Sequence, residues 1–269
     1  MAVLVIVITG ASDGIGAAAA RSLSAQGHRV VVVGRSPAKT ERVANEIGAP
    51  FYLADFKILD DVRALSDRLL TDLPRIDVLA NNAGGIMGPR ELTVDGNEVT
   101  IQVNHLAPFL LTNLLLDRLT ASTARVITTS STAHKPAETL DLDDLTMSRR
   151  HTPGRAYSAA KLMNILFTRE LQRRFGADGI TAAAFHPGVV NTNFSSEYGG
   201  LLHLGFTSVA RHFFRSPARG ADTLVWLATS DGWLAGQYYK DRRISRTSAQ
   251  ANDAELARAL WERSASLTR

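Results

Sequence analysis

The sequence predicts an α/β fold with a doubly wound parallel sheet, and three observations carry that expectation. Short runs of β-branched residues alternate with longer helical patterns along most of the 269 residues. The short runs are apolar throughout, as strands buried between two helical layers must be. The first of them runs directly into a glycine-rich turn that opens a helix. Strict strand–helix alternation implies right-handed crossovers between parallel neighbours.

Taken in order, Val3–Thr9 is read as a strand and the alanine-rich Ile15–Gln26 as a helix. Strand Arg29–Val33, helix Ala38–Ile47, strand Phe51–Ala54 and helix Asp60–Thr71 follow. Strand Ile76–Ala80 then leads into one long helix, Asn97–Leu119. Strand Arg125–Thr129, helix Ala156–Phe175 and strand Ile180–Phe185 complete the regular part. Helix Pro217–Ala228, a short strand Gly236–Tyr239 and helix Asp253–Ser264 close the chain. No linker, repeat or low-complexity stretch interrupts this order, so residues 1–269 read as a single domain. Two segments break the rhythm. The polar loop 134–155 carries Asp141, Asp143, Asp144 and Arg149-Arg150-His151, and the segment 189–216 mixes glycine with aromatics. Long excursions after strands of an open sheet sit at its carboxyl edge, where ligands bind. The second segment is expected to be a substrate lid; a helical pair packed on the body, or a subunit contact, is the plainer alternative.

Composition narrows the function. With no cysteine there is no disulfide scaffold, thiolate nucleophile, zinc ribbon or iron–sulfur cluster, and no metal set is expected. Thirty Lys+Arg against twenty-six Asp+Glu leave a net charge of only +4. The pI near 9.6 reflects arginine count, not a strong field. The densest basic group, Arg242, Arg243 and Arg246, reads as a solvated face, so no nucleic-acid partner is expected. Val3 to Ile8 is too short for a membrane span, which needs about 20 apolar residues, and no basic n-region marks a signal peptide. The chain reads as soluble and cytoplasmic.

The turn Thr9-Gly10-Ala11-Ser12-Asp13-Gly14-Ile15-Gly16 follows the first strand and opens the first helix. Its glycines permit a tight turn and close backbone approach to a pyrophosphate, while the helix N-terminus offers free N–H groups and a positive dipole end. A tight strand–helix turn with no ligand is the bland reading of such a trio; its place in the first βαβ unit favours a dinucleotide. An NAD site would set an acidic residue about 20 residues beyond the glycines, on the ribose hydroxyl. Here Val33-Gly34-Arg35-Ser36 stands there instead. Arg35 can pair with a 2′-phosphate and Ser36 can hydrogen-bond it, which favours NADP(H).

Tyr157 and Lys161 are four residues apart on a helix and share a face. Exposed pairs of this kind are common, so the weight comes from company. Thr128-Thr129-Ser130-Ser131 closes the fifth strand, Asn81-Asn82-Ala83-Gly84 closes the fourth, and Asn104 lies in the helix that follows. All of these end at the same rim as the glycine turn.

With these residues in place the chain resembles the short-chain dehydrogenase/reductase family over nearly its whole length. The matching elements are the Thr9–Gly16 turn, Asp55, Asn81–Gly84, Asn104, Ser131, Tyr157 with Lys161, and Pro187-Gly188 with Thr192. Gly34-Arg35, Val103-Asn104-His105-Leu106, Ser130-Ser131-Thr132-Ala133-His134, the run Leu166–Leu171 and His186-Pro187-Gly188-Val189-Val190 are similar to the retinol-dehydrogenase-like and protochlorophyllide-reductase-like branch. The N-terminal membrane anchor of many animal retinol dehydrogenases has no counterpart in this sequence.

The resemblance implies a Rossmann fold and a set of roles. Tyr157 is the proton donor, Lys161 lowers its pKa and holds the nicotinamide ribose, and Ser131 orients the substrate oxygen. Asn104 holds a water of a proton relay; satisfying helix backbone is its plainer role. Asp55 bonds the adenine amino group, and Asn82, Ala83 and Gly84 wall the adenosine side, unless Asn82 only braces the sheet edge. Pro187, Gly188, Val190 and Thr192 serve the nicotinamide side, though Pro187-Gly188 also reads as a plain turn. Ser131 and Tyr157 stand 26 positions apart, about twice the separation in many members, and the polar loop fills the difference. The leading expectation is an NADP(H)-dependent carbonyl reductase, or alcohol dehydrogenase in reverse, acting on an apolar or aromatic small molecule. A non-catalytic NADP(H)-binding regulator on the same fold is the alternative. The two long helices are expected either to pair between subunits, giving a homodimer or homotetramer, or to stay exposed in a monomer.

Overall fold

Strand and helix alternate through the computed structural model, which describes residues 2–188 and 215–269. Most of the expected lid, with Val190 and Thr192, therefore lies outside the described residues. Among the described residues there are eight strands: β1 (Val5–Thr9), β2 (Arg29–Gly34), β3 (Phe51–Leu53), β4 (Val78–Asn81), β5 (Arg125–Thr129), β6 (Thr181–His186), β7 (Tyr238–Lys240) and β8 (Arg243–Ile244). They form one sheet in the order β3-β2-β1-β4-β5-β6-β7-β8. Neighbours from β3 to β7 pair in parallel, and β8 alone runs antiparallel, against β7. The order reverses between β1 and β4, which makes the carboxyl ends of those strands the crevice of the sheet.

Strand periodicity places the core on both faces. Val5 and Val7 of β1, with Val31, Leu79 and Val126, meet the helices α3 (Leu59–Asp72) and α5 (Ala107–Leu114). Ile6 and Ile8, with Val30, Val32 and Ile127, turn to the opposite layer of α1 (Gly14–Ala25), α2 (Pro37–Ile47) and α8 (Pro217–Thr229). Each strand is thus apolar on both sides because each side is covered, and the Rossmann-type α/β class stands.

The expected long helix over 97–119 is a finding of difference. Glu98 caps a single turn, α4 (Val99–Ile101), by accepting the Ile101 N–H at 2.8 Å. A π-turn over Gln102–Leu106 follows, with the Ala107 N–H bonded to the Gln102 carbonyl. Only then do α5 and α6 (Leu116–Ala121) continue. The cause is Pro108, which has no N–H for the carbonyl of Asn104 four residues earlier and whose ring crowds it. Taking up one extra residue as a π-turn relieves that conflict. The strand β8 was also not expected. Asp241 and Arg242 both carry positive φ, 53° and 60°, the geometry of a two-residue type I′ hairpin, without the usual Asn-Gly signature.

The long helix α7 (Pro153–Phe175) lies under the last helix, α9 (Ala254–Leu267). Trp261 stacks on Phe167 at 5.8 Å and meets Phe109 edge-on at 5.0 Å. The Arg174 guanidinium sits 4.7 Å over the same indole and 2.6 Å from Glu262. His105, in the π-turn, joins all three elements: its Nδ1 faces Asn164 Oδ1 at 3.3 Å and its Nε2 faces Ser264 Oγ at 2.9 Å. Neither option foreseen for the long helices included this cover from the same chain. Among the described residues no helix is long and apolar enough to cross a membrane.

Complete burial pushes the His105 imidazole down to about 4 from its ordinary 6.5. The folded state therefore resists protonation while the unfolded chain accepts it, and stability is lost as pH falls from about 6.5 towards 4. Thermal midpoints measured across that range should fall in the wild-type chain. His105→Gln, which keeps a partner for Ser264, should fall less steeply; an equal slope would remove His105 as a source of the acid sensitivity.

Candidate active site

The crevice between β1 and β4 is tied together by side chains. Thr9 Oγ1 donates to the Ala80 carbonyl (3.2 Å) and accepts the N–H groups of Asn82 and Ala83, each at 3.0 Å. Asn82 Nδ2 donates to the carbonyls of Thr9 (3.0 Å) and Gly10 (3.4 Å), and Asn82 Oδ1 accepts from Thr129 Oγ1 at 3.4 Å. Its carboxamide thus braces the ends of β1, β4 and β5. Gly10 has φ +65°, and a Cβ there would stand 2.7 Å from Ala83 Cα. A Cβ on Gly16 would strike the Gly10 carbonyl and approach Asn82 Nδ2 to 2.6 Å. The turn needs glycine at both positions for backbone to meet backbone.

Asp13 caps α1 by accepting the Gly14 N–H at 2.8 Å. The first helical donor is the Ala17 N–H, bonded to the Asp13 carbonyl at 3.2 Å, so the Ile15 and Gly16 N–H groups precede the intrahelical ladder. A helix N-terminus facing a cradle that a Cβ would fill suits a pyrophosphate. Ser12 lies against the end of β2, where a Gly34 Cβ would come within 2.9 Å of Ser12 Cβ. Arg35 is exposed there, and Ser36 caps α2 without a side-chain bond to it. Lys39 Nζ reaches the Asp13 carboxylate at 3.1 Å. Sequence reasoning missed Lys39, although its position four residues after Arg35 places it beside the same turn. Asp55 is less open: its Oδ1 accepts the Lys57 N–H and its own N–H donates to Asp61, both at 3.0 Å.

Across the crevice, Ser131 faces Tyr157 closely enough for its side chain to oppose the effect of burial on the phenol. Tyr157 stands in the second turn of α7, whose N-cap Thr152 accepts the Arg155 N–H at 3.2 Å. One turn on, Lys161 is 2% exposed, with Nζ 5.3 Å from the Tyr157 ring centre and donating to the Thr129 carbonyl at 3.2 Å. Asn164 Nδ2 donates to that same carbonyl at 3.0 Å, and Ser130 Oγ to the Lys161 carbonyl at 2.6 Å. The helix is thereby pinned to the end of β5. Burial sets the protonation of the pair. It pushes the Tyr157 phenol well above its ordinary range, against the opposing Ser131 hydrogen bond, and pushes the Lys161 amine down to about 7.

Asn104 has its side chain fully engaged with backbone. Nδ2 donates to the carbonyls of Gly85 and Thr100, both at 2.8 Å, and Oδ1 accepts the Gly85 N–H at 3.1 Å. Gly84 lies directly against this carboxamide. The polar loop returns to the same region, where His151 Nε2 stands 3.3 Å from Glu98 Oε1, a carboxylate with no exposed surface. Gly188 has φ +88° and abuts Arg215, whose guanidinium pairs with Asp241 at 3.1 Å; Pro187 precedes it after β6. The structure therefore brings Gly10 to Gly16, Asn82 to Gly84, Asn104, Ser131, Tyr157 and Lys161 to one rim, with Arg35 and Ser36 at the end of β2 beside the glycine turn.

A profile of the short chain dehydrogenase family matches residues 4–141. A Streptomyces sp. (strain C5) protein, provisionally named daunorubicin C-13 ketoreductase DnrU, is 44% identical over 269 residues, covering 97% of this chain and 91% of that one. Human retinol dehydrogenase 12 is 37% identical over 273 residues, with 98% and 85% covered. Among solved structures, an uncharacterised Mycobacterium paratuberculosis protein superposes with a TM-score of 0.80 at 37% identity, covering 98% of this chain and 93% of that one. The fold and the rim of polar residues define a dinucleotide-dependent oxidoreductase. The chain belongs to the short-chain dehydrogenase/reductase family, in the branch of the retinol-dehydrogenase-like members.

The depressed Lys161 amine has a measurable consequence. Above about pH 7 the folded protein holds it neutral, while the unfolded chain keeps it charged up to its ordinary 10.5. The cofactor-free protein should therefore gain stability as pH rises from 7 to about 9.5. Lys161→Met should abolish that rise in the thermal midpoint. A variant that rises in parallel with wild type would show that the amine is charged in the folded state.

Proposed function

We propose that the chain interconverts a carbonyl and an alcohol with NADP(H), on an apolar or aromatic small molecule. The observation that carries this reading is the Ser131–Tyr157–Lys161 group at the carboxyl end of β5, beside the glycine turn. The nicotinamide, when bound, supplies or accepts a hydride at the substrate carbon. The Gly10–Gly16 turn and the α1 N-terminus would hold its pyrophosphate, Arg35 and Ser36 its 2′-phosphate, and Asp55 its adenine. Asn82, Ala83 and Gly84 would line the adenosine wall. Pro187, Gly188, Val190 and Thr192 would serve the nicotinamide side.

Reduction builds negative charge on the carbonyl oxygen, so a donor must stand within hydrogen-bond reach of it. Burial keeps Tyr157 protonated, the form that can give up a proton to a far more basic alkoxide. Ser131 Oγ, which faces Tyr157, orients the oxygen from the other side. The phenolate left behind is offset by Lys161 when that amine is charged, and its pKa near 7 lets it gain or pass a proton at neutral pH. Asn104 would serve the relay through its carbonyl, which Pro108 leaves without the usual helical donor, because its carboxamide is engaged elsewhere.

Two features support the substrate class. The relatives are named for C-13 keto reduction of daunorubicin and for retinol dehydrogenation, both reactions at a carbonyl or alcohol of a sizeable organic molecule. The segment after β6 also carries Phe194, Tyr198, Leu201, Leu202, Leu204, Phe206, Phe213 and Phe214. Purified protein should consume NADPH with bulky apolar ketones or aldehydes, and do so faster than with NADH. Tyr157→Phe should lower kcat by about 10²- to 10⁴-fold with NADPH binding kept. Full turnover in that variant would falsify the proton-donor role, and preference for small acidic keto compounds would contradict the substrate class.

A further inference from the structure

Ser131 is held in place by something other than its own strand. It lies two residues beyond β5 in extended geometry, φ −157° and ψ 156°, and caps a short 3₁₀ turn over Thr132–His134, its Oγ accepting the Ala133 N–H at 3.2 Å. That bond ties Oγ to the turn, so the hydroxyl stands wherever the backbone of the turn is held. His134, with no exposed surface, supplies that fixation. Its Nδ1 lies 2.6 Å from the Ser131 carbonyl oxygen. A carbonyl only accepts, so Nδ1 carries the hydrogen and donates, and Nε2 is left as an acceptor. The Ser248 N–H fills that acceptor at 3.4 Å. The ring is clamped by Tyr238 of β7, edge-on at 5.0 Å and 75°. On the other side of the turn, His186 Nδ1 at the end of β6 accepts the Thr132 N–H at 3.4 Å.

We propose that His134 is a positioning residue for the reaction: its Nδ1–H holds the Ser131 carbonyl, anchors that turn to Ser248 in the C-terminal segment, and so sets the Ser131 hydroxyl against Tyr157 and the substrate oxygen. The inference rests on the carbonyl–alcohol reading above and deepens it. Burial favours the neutral ring this arrangement needs, and holds the His134 pKa below its ordinary value. Tyr238 is itself 1% exposed, and its hydroxyl has no hydrogen-bond partner among the described residues. Its phenol is therefore a wall for the imidazole and adds no competing bond to it.

The test is a kinetic cycle on the full-length chain with NADPH and an apolar ketone that the wild type turns over. His134→Phe keeps a ring against Tyr238 but has no donor, whereas His134→Asn puts an amide N–H near the Nδ1 position. We expect His134→Phe to lower kcat by about 10- to 100-fold, leave the NADPH dissociation constant unchanged, and add nothing to the loss caused by Ser131→Ala in the double variant. His134→Asn should recover most of the loss. A merely structural histidine would show similar losses in Phe and Asn variants, and a multiplicative double variant; either result overturns the inference while leaving the reductase reading intact. Ring ¹⁵N shifts of the unmutated protein supply a measurement free of folding effects, and an Nε2-protonated His134 would overturn it as well. A wild-type chain that binds NADPH but turns over no carbonyl substrate overturns both readings together.

Discussion

The level at which β1, β4 and β5 end governs everything built at the rim. One carboxamide, that of Asn82, fixes that level by donating to the backbone of β1 and the glycine turn and accepting from Thr129 at the end of β5. Thr9 completes the tie by accepting two backbone N–H groups from the segment after β4. The glycine turn and the Ser131–Tyr157–Lys161 group come from opposite halves of the sheet. They form one site only because these short bonds hold the strand ends in step. A hydrogen bond of this kind contributes about 1 kcal/mol to folding, yet its geometric effect reaches every residue of the crevice.

The second organising constraint is dryness. Lys161 is held almost entirely out of water, and its recorded partners are the Thr129 carbonyl and the Tyr157 ring, not a carboxylate. A neutral or proton-exchanging amine is the natural outcome of such a place, and the buried phenol beside it stays protonated. At the N-terminus of α1 the balance is different. Asp13 and Lys39 form an exposed pair with both side chains nearly half accessible, where solvent screens each of them. The end with Lys161 is buried and the end with the Asp13–Lys39 pair is wet.

Much of this was legible in the sequence because it depends on local pattern. The strand β1 and the turn after it are an apolar run followed by glycines at fixed offsets, and Tyr157 with Lys161 follows from helical spacing. The parallel α/β class follows from alternation, but the strand order does not. What was not legible depends on contacts between distant residues or on weak local signals. The π-turn needed attention to Pro108, four residues after Asn104, and the apolar content of 97–119 hid it. β8 was hidden because Asp241-Arg242 adopts a turn that glycine usually marks. Bracing by Asn82 and a backbone role for Asn104 stood in the sequence as the plainer alternatives, but their partners, and the grip of His134 on Ser131, are long-range bonds that no spacing reveals. The Lys39–Asp13 pair and the cover of α7 by α9 belong to the same class.

That cover sets the order in which the protein can become itself during synthesis. The helix carrying Tyr157 and Lys161 emerges from the ribosome well before the segment bearing Trp261 and Ser264. Until the last residues are released, Phe109, Phe167 and the His105 ring have no lid, and Arg63 lacks the Thr268 carbonyl it finally binds at 2.7 Å. A nascent chain stalled before Trp261 would hold Ser131, Tyr157 and Lys161 and still leave an aromatic face bare. Synthesis of the Trp261 segment is thus a physical condition for a closed α7, whatever has already formed at the rim.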